Sequence, residues 1–104
     1  DYLHVMDLAE AHCAAVEKAL AIQGTHAVNL GTGTGYSVLD IIHAFENATG
    51  INIPYQIGSR RPGDAPTCYA NPALAKSMFG WSAKRTLFDM CKDSWNWQSM
   101  ITQR

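Results

Sequence analysis

The residues best suited to chemistry lie in Arg60-Arg61-Pro62-Gly63-Asp64. A guanidinium presents a planar fork of donors that matches phosphate oxygens. A turn through Pro62-Gly63 brings Asp64 back within reach, where its carboxylate would accept hydrogen bonds from sugar hydroxyls. The same five residues read equally well as a solvated loop closed by an internal Arg–Asp pair. Spacing alone leaves both readings open.

A second candidate is Gly31-Thr32-Gly33-Thr34-Gly35-Tyr36, between an expected strand and an expected helix. Backbone N–H groups and a helix N-terminus at such a junction can hold a phosphate. The dinucleotide fingerprint G-x-G-x-x-G needs a third glycine at position 36, where Tyr36 stands. A tight structural turn, with glycines free to take positive φ, is therefore the preferred reading.

Other chemistries are argued against. The four histidines, at 4, 12, 26 and 43, form no i, i+4 ligand pair, and packing roles are expected for His12 and His43. The three cysteines, at 13, 68 and 91, form no CxxC pair, which argues against a zinc site or disulfide framework and for a reducing compartment. Cys68 and Cys91 are expected to be buried or pocket-lining thiols. No G-x-S-x-G elbow is present. The positions four after each tyrosine hold Met6, Asp40, Ser59 and Ala73, so no Tyr-x-x-x-Lys pair exists. No catalytic, cofactor-binding or metal-ligating residue is expected within the chain.

The elements that must position these residues alternate. Tyr2-Leu3-His4-Val5 reads as strand from the first residues, so the chain is expected to be a truncated piece of something longer. Asp7 is the expected N-cap of a first helix, with Leu8, Ala11, Ala15 and Val16 at helical spacing and Gly24 as its stop. Residues 25–30 read as a short strand covered on both faces. Ser37 and Asp40 form a capping box before a helix striped by Val38, Ile41, Ile42, Phe45 and Ala48, ended by Gly50. Residues 51–57 alternate at period two, with Pro54 confining them to an edge. Asn71-Pro72 opens a short helix running to about Gly80. Thr86 and Asp89 form a second capping box before the last helix, and Trp81, Trp95 and Trp97 are expected to anchor the packing of the last two helices. The order indicates an α/β chain of about four helices and two to three short strands.

Bulk properties narrow the function. The 104 residues, 47% hydrophobic and 16% charged, fit one ordered domain. Net charge is −1, so no basic excess exists to neutralise a nucleic-acid backbone. The longest apolar runs fall far short of the ~20 residues a membrane helix needs. No basic-then-apolar leader opens the chain, and a cytoplasmic location is expected.

Taken in order, the motifs resemble one family. Asp-Tyr-Leu-His-Val-Met-Asp-Leu-Ala at 1–9, Asn29-Leu30-Gly31-Thr32-Gly33 with Ser37-Val38-Leu39-Asp40, Arg60-Arg61-Pro62-Gly63-Asp64, Tyr69-Ala70-Asn71-Pro72, Gly80-Trp81 and Trp95-x-Trp97-Gln98 resemble successive blocks of the UDP-galactose (UDP-glucose) 4-epimerases. These are extended short-chain dehydrogenase/reductase proteins, and the resemblance runs over essentially the whole chain. It implies the C-terminal part of that fold, with 1–50 at the edge of the Rossmann-like domain and 51–104 in the substrate-binding domain. It further implies that Arg61 grips a UDP diphosphate, that Asp64 contacts the uridine ribose, and that Cys68 lines the hexose pocket. A small residue at the Cys68 position is associated with acceptance of N-acetylated sugars. The family's NAD-binding half and its Tyr-x-x-x-Lys pair would precede residue 1, so the isolated chain is expected to be non-catalytic, to bind UDP-sugar weakly, and to hold no NAD itself. The alternative expectation is a stand-alone module without a ligand. Self-association, as a dimer, is expected under either reading.

Overall fold

The computed structural model describes residues 1–103, and four helices organise them: α1 (Val5–Ala19), α2 (Val38–Thr49), α3 (Ala73–Phe79) and α4 (Leu87–Thr102). Both expected capping boxes form. Ser37 Oγ accepts from the Asp40 N–H at 3.0 Å while Asp40 accepts from the Ser37 N–H at 2.9 Å. Thr86 Oγ1 accepts from the Asp89 N–H at 3.2 Å, and Asp89 returns the bond at 2.8 Å. These bonds satisfy otherwise orphaned helix donors and fix where α2 and α4 begin. At α3, Pro72 occupies the cap position and the Asn71 side chain accepts from the Ala73 N–H at 3.1 Å. Gly50 and Gly80 end α2 and α3 in the left-handed conformation, at φ 71° and 68°.

The chain start departs from expectation. Helix α1 begins at Val5, inside the stretch that reads as strand, and its cap is His4 rather than Asp7. Nδ1 of His4 accepts from the Met6 N–H at 3.0 Å, which leaves Nε2 to carry the proton toward Asp93 Oδ2 at 2.8 Å. Asp7 instead sits in the first helical turn with 0% exposure. Its carboxylate is drawn to the far end of the chain: Oδ2 accepts from the Lys84 and Arg85 N–H groups at 3.2 and 2.9 Å, and Oδ1 accepts from the Arg85 guanidinium at 2.7 Å. Gly24, at φ 92°, lies in the turn beyond α1 rather than at its end.

No strand forms among the described residues; the expected strands over 25–30 and 51–57 run without a pairing ladder. A strand is stable only against a partner that takes its backbone donors and acceptors. No such partner lies beside these stretches among the described residues.

Helix α1 packs on α3, and α2 packs on α4, so each pair joins the first half of the chain to the second. Ala11, Ala75 and Trp81 form the buried centre of the first pair, with Val28 and Phe79 packed against it. The Trp81 indole donates to the Asp7 carbonyl at 3.0 Å. In the second pair, Phe45 and Trp95 meet edge to face, ring centroids 6.1 Å apart. Trp81 thus anchors the packing of α3 on α1 and Trp95 that of α4 on α2, while Trp97, expected to share this role, is largely exposed.

The apolar core is small for the length. The radius of gyration is 16.9 Å, where a closed domain of this size has about 13 Å. The accessible area is 7889 Å², where its mass corresponds to roughly 5,800 Å². Val5, Val16, Leu20, Val38 and Ile57 all face outward.

Candidate functional site

The loop carrying Arg60 to Asp64 has no helix or strand to stiffen it, so local bonds set its shape. Arg61 Nε donates to Asp64 Oδ2 at 2.9 Å, and Arg60 Nη2 donates to the Asp64 carbonyl at 3.1 Å. The Asp64 N–H donates to the Arg61 carbonyl at 3.3 Å, and Gly63 takes φ 85° to complete the turn. The internal Arg–Asp pair is therefore formed. It is open to solvent, with the Arg61 side chain 83% exposed and Asp64 44%. An ion pair in this setting contributes only about 0–1 kcal/mol, so an anion of higher charge can displace Asp64 from the fork.

Cys68 lies four residues beyond Asp64, exposed, on the wall of a cavity of about 540 Å³. Asp1, Tyr36, Asp40 and Thr67 also line it, and Arg61 and Asp64 do not. Arg61 and Asp64 are thus brought together, while Cys68 faces a neighbouring space shared with the turn before α2. Bonds from Ser37 hold the Asp40 carboxyl below its ordinary value of 3.8, so it is an anion at the cavity edge at neutral pH.

The glycine loop before α2 has its amides taken. Asp1 Oδ1 and Oδ2 accept from the Thr32 N–H at 3.1 and 3.0 Å, and Oδ1 accepts from Thr32 Oγ1 at 2.8 Å. Oδ2 also accepts from the Gly33 N–H at 3.2 Å and the Ala70 N–H at 3.1 Å. A carboxylate of the chain itself occupies the place a phosphate would take, so the loop does not fit a dinucleotide pyrophosphate. The reading as a structural turn agrees with this geometry. Gly31 is required there, because a Cβ would stand 2.5 Å from Asp1 Oδ2 and 2.8 Å from Ala70 Cβ.

No cluster of three or more His, Cys, Asp or Glu side chains able to hold a metal occurs among the described residues. Cys91 is buried where α4 meets α2, its thiol directed at the Ile41 carbonyl at 4.0 Å, and burial pushes that thiol above the ordinary value of 9.0. The part played by Asp1 carries no local signal in the sequence, since its partners lie 31 to 69 residues away.

No protein-family model matches the chain. Among curated proteins, the UDP-glucose 4-epimerase of Bacillus subtilis (strain 168) is 59% identical over 99 residues, which is 95% of this chain and 29% of that protein. The human UDP-glucose 4-epimerase is 52% identical over 98 residues, 94% of this chain and 28% of its own length. The chain therefore spans under a third of the curated relatives it matches, in their C-terminal region. The crystal structure of a UDP-glucose 4-epimerase from Stenotrophomonas maltophila, with bound NAD and formylated UDP-arabinopyranose, superposes at a TM-score of 0.96 and 43% identity, covering 99% of this chain and 31% of that one. That of Bifidobacterium longum, in complex with NAD+ and UDP, superposes at 0.87 and 48% identity over 96% of this chain and 30% of that one.

Proposed function

We infer that this chain, which matches the C-terminal segment of UDP-glucose 4-epimerases in sequence and fold, supplies the nucleotide-sugar side of an epimerase site. The observation that carries the reading is the Arg61 fork, solvent-facing and held only by a weak exposed pair to Asp64. A UDP diphosphate would take Arg61 from Asp64, with more charge and more oxygens than one carboxylate. The freed Asp64 carboxylate would then accept from ribose hydroxyls. Cys68 would line the hexose side, its short side chain leaving room for an N-acetyl group.

The nicotinamide cofactor and the base are assigned to polypeptide outside these residues, because no Tyr-x-x-x-Lys pair occurs in the chain and Asp1 fills the one glycine loop suited to a phosphate. NAD, when bound, supplies hydride transfer. Residues 1–50 belong to the edge of the Rossmann-like domain and 51–104 to the substrate domain. In that setting the stretches 25–30 and 51–57 become strands by pairing with the rest of the sheet. The outward apolar side chains are covered by the same polypeptide or, in the isolated chain, by a second copy. The location proposed is cytoplasmic; no helix of the described residues is long and apolar enough to cross a membrane.

Calorimetric titration of UDP-glucose into the chain and into Arg61→Ala tests this. Saturable binding should weaken on the order of tenfold or more in the variant, the loss expected for a charge-assisted bond. Absence of saturable binding, together with a concentration-independent dimer, refutes the reading and favours the interaction module.

A further inference from the structure

We propose that Asp1 is a positioning residue that governs hexose selectivity by holding the Cys68–Ala70 stretch against the Gly31–Gly33 turn. The inference deepens the UDP-sugar reading and rests on it. Asp1 engages the backbone on both sides of Tyr69. Its backbone nitrogen donates to the Cys68 carbonyl at 3.0 Å, and its Oδ2 accepts from the Ala70 N–H at 3.1 Å. With the peptide groups on both sides of Tyr69 tied to one residue, the backbone on the carbonyl side of Cys68 is held in place. The same carboxylate accepts from the Thr32 and Gly33 N–H groups at 3.0 and 3.2 Å, so the turn before α2 and the Cys68 stretch are joined through a single side chain.

Packing supports the joint. A Cβ at Gly31 would meet both Asp1 and Ala70, and one at Gly35 would stand 3.0 Å from the Tyr69 ring. The two segments are nested with no spare room. The cavity that Cys68 lines is walled on its other side by Asp1, Tyr36 and Asp40. Any tilt of the 68–70 backbone therefore changes the width of that cavity at Cys68. It leaves Arg61 untouched, because the Arg61–Asp64 pair closes within its own loop. The grip on a diphosphate and the fit of a sugar substituent are thus set by separate parts. A pocket discriminates a small added group by contacts alone, and a displacement of about 1 Å is enough to alter them.

Asp1→Asn tests the proposal. One oxygen becomes an NH2 that opposes the Thr32, Gly33 and Ala70 donors. Amide hydrogen exchange at Ala70 and Gly33 should accelerate on the order of tenfold or more, as for loss of a bond to a charged acceptor. Calorimetry with UDP, UDP-glucose and UDP-N-acetylglucosamine should show unchanged UDP affinity and a ratio between the two sugars shifted by roughly tenfold. Thr32→Ala, which removes one donor to the same carboxylate, should shift both readouts in the same direction by less, and it serves if Asp1→Asn does not fold. Unchanged exchange at Ala70 overturns the proposal. Faster exchange with an unshifted sugar ratio also overturns it, because Asp1 is then structural only. If the unaltered chain binds none of the three ligands, the UDP-sugar reading fails and the selectivity claim falls with it.

Discussion

Asp7→Ala should destabilise the chain by about 2–3 kcal/mol, the scale of losing charge-assisted hydrogen bonds to a buried carboxylate. Asp7 is 0% exposed, and its carboxylate accepts from two backbone N–H groups and one guanidinium. Truncation leaves the Lys84 and Arg85 N–H groups facing an empty volume and leaves Arg85 with only Glu10, at 3.1 Å. Small domains have about 5–15 kcal/mol in total, so the variant should lose a sizeable part of its stability. Urea titration followed by circular dichroism measures the loss. A change below about 1 kcal/mol, the size of one neutral hydrogen bond, would refute the reading of Asp7 as a buried lock.

The same residue predicts an acid dependence of definite sign. Burial alone would raise the Asp7 pKa, but the Arg85 N–H, its guanidinium and the Lys84 N–H outweigh burial and hold it below 3.8. A carboxyl whose folded pKa is depressed contributes stability that is full above the unfolded value and lost as pH falls through the folded one. Stability should therefore fall as pH drops below about 4. Asp40 and Asp89 are depressed by their capping boxes and titrate in the same window. The comparison with Asp7→Asn isolates the lock: its acid slope should be shallower than that of the unaltered chain. Parallel slopes would show that Asp7 takes no part.

Two further outcomes follow from particular contacts. Gly31→Ala places a Cβ 2.5 Å from Asp1 Oδ2 and 2.8 Å from Ala70 Cβ, and should destabilise by about 1–3 kcal/mol as overpacking does, read as a lowered thermal midpoint. Of the three thiols, Cys13 and Cys68 are exposed and Cys91 is buried with its pKa raised, so a chromogenic disulfide reagent at pH 8 should titrate two thiols quickly and the third only on unfolding.

Local rules made much of the helical frame legible from residue types alone. The boxes at Ser37–Asp40 and Thr86–Asp89 and the glycines at 50 and 80 act within four residues, and each does what its type favours. The start of α1 was not legible, because Asp7 is as good a cap by type as any residue there. What decides its role is Arg85, 78 positions away. Trp81 and Trp95 anchor the last two helices as their type favours, but helix order in sequence does not say that α4 packs on α2, nor that Trp97 faces outward. The Arg61–Asp64 pair was legible, since it closes inside one turn. The hub at Asp1 was not, since all six of its hydrogen bonds join segments more than thirty residues apart.

Two carboxylates, rather than a large apolar centre, join the distant parts of this chain. Asp7 links α1 to the entry of α4, and Asp1 links the chain start to the turn before α2 and to the Cys68 stretch. Apolar burial is non-directional and would tolerate several arrangements of four amphipathic helices, whereas a carboxylate that accepts three or more bonds from named donors admits one. With an area well above that of a closed domain, burial within the chain contributes less than usual. Directional polar contacts must then carry an unusual share of the choice among arrangements. Loss of either hub should therefore widen the ensemble more than it changes helix content: in Asp7→Asn and Asp1→Asn, near-ultraviolet dichroism from Trp81 and Trp95 should fall while the far-ultraviolet helical signal persists. Equal loss of both signals would place the specificity in the helices themselves and not in the hubs.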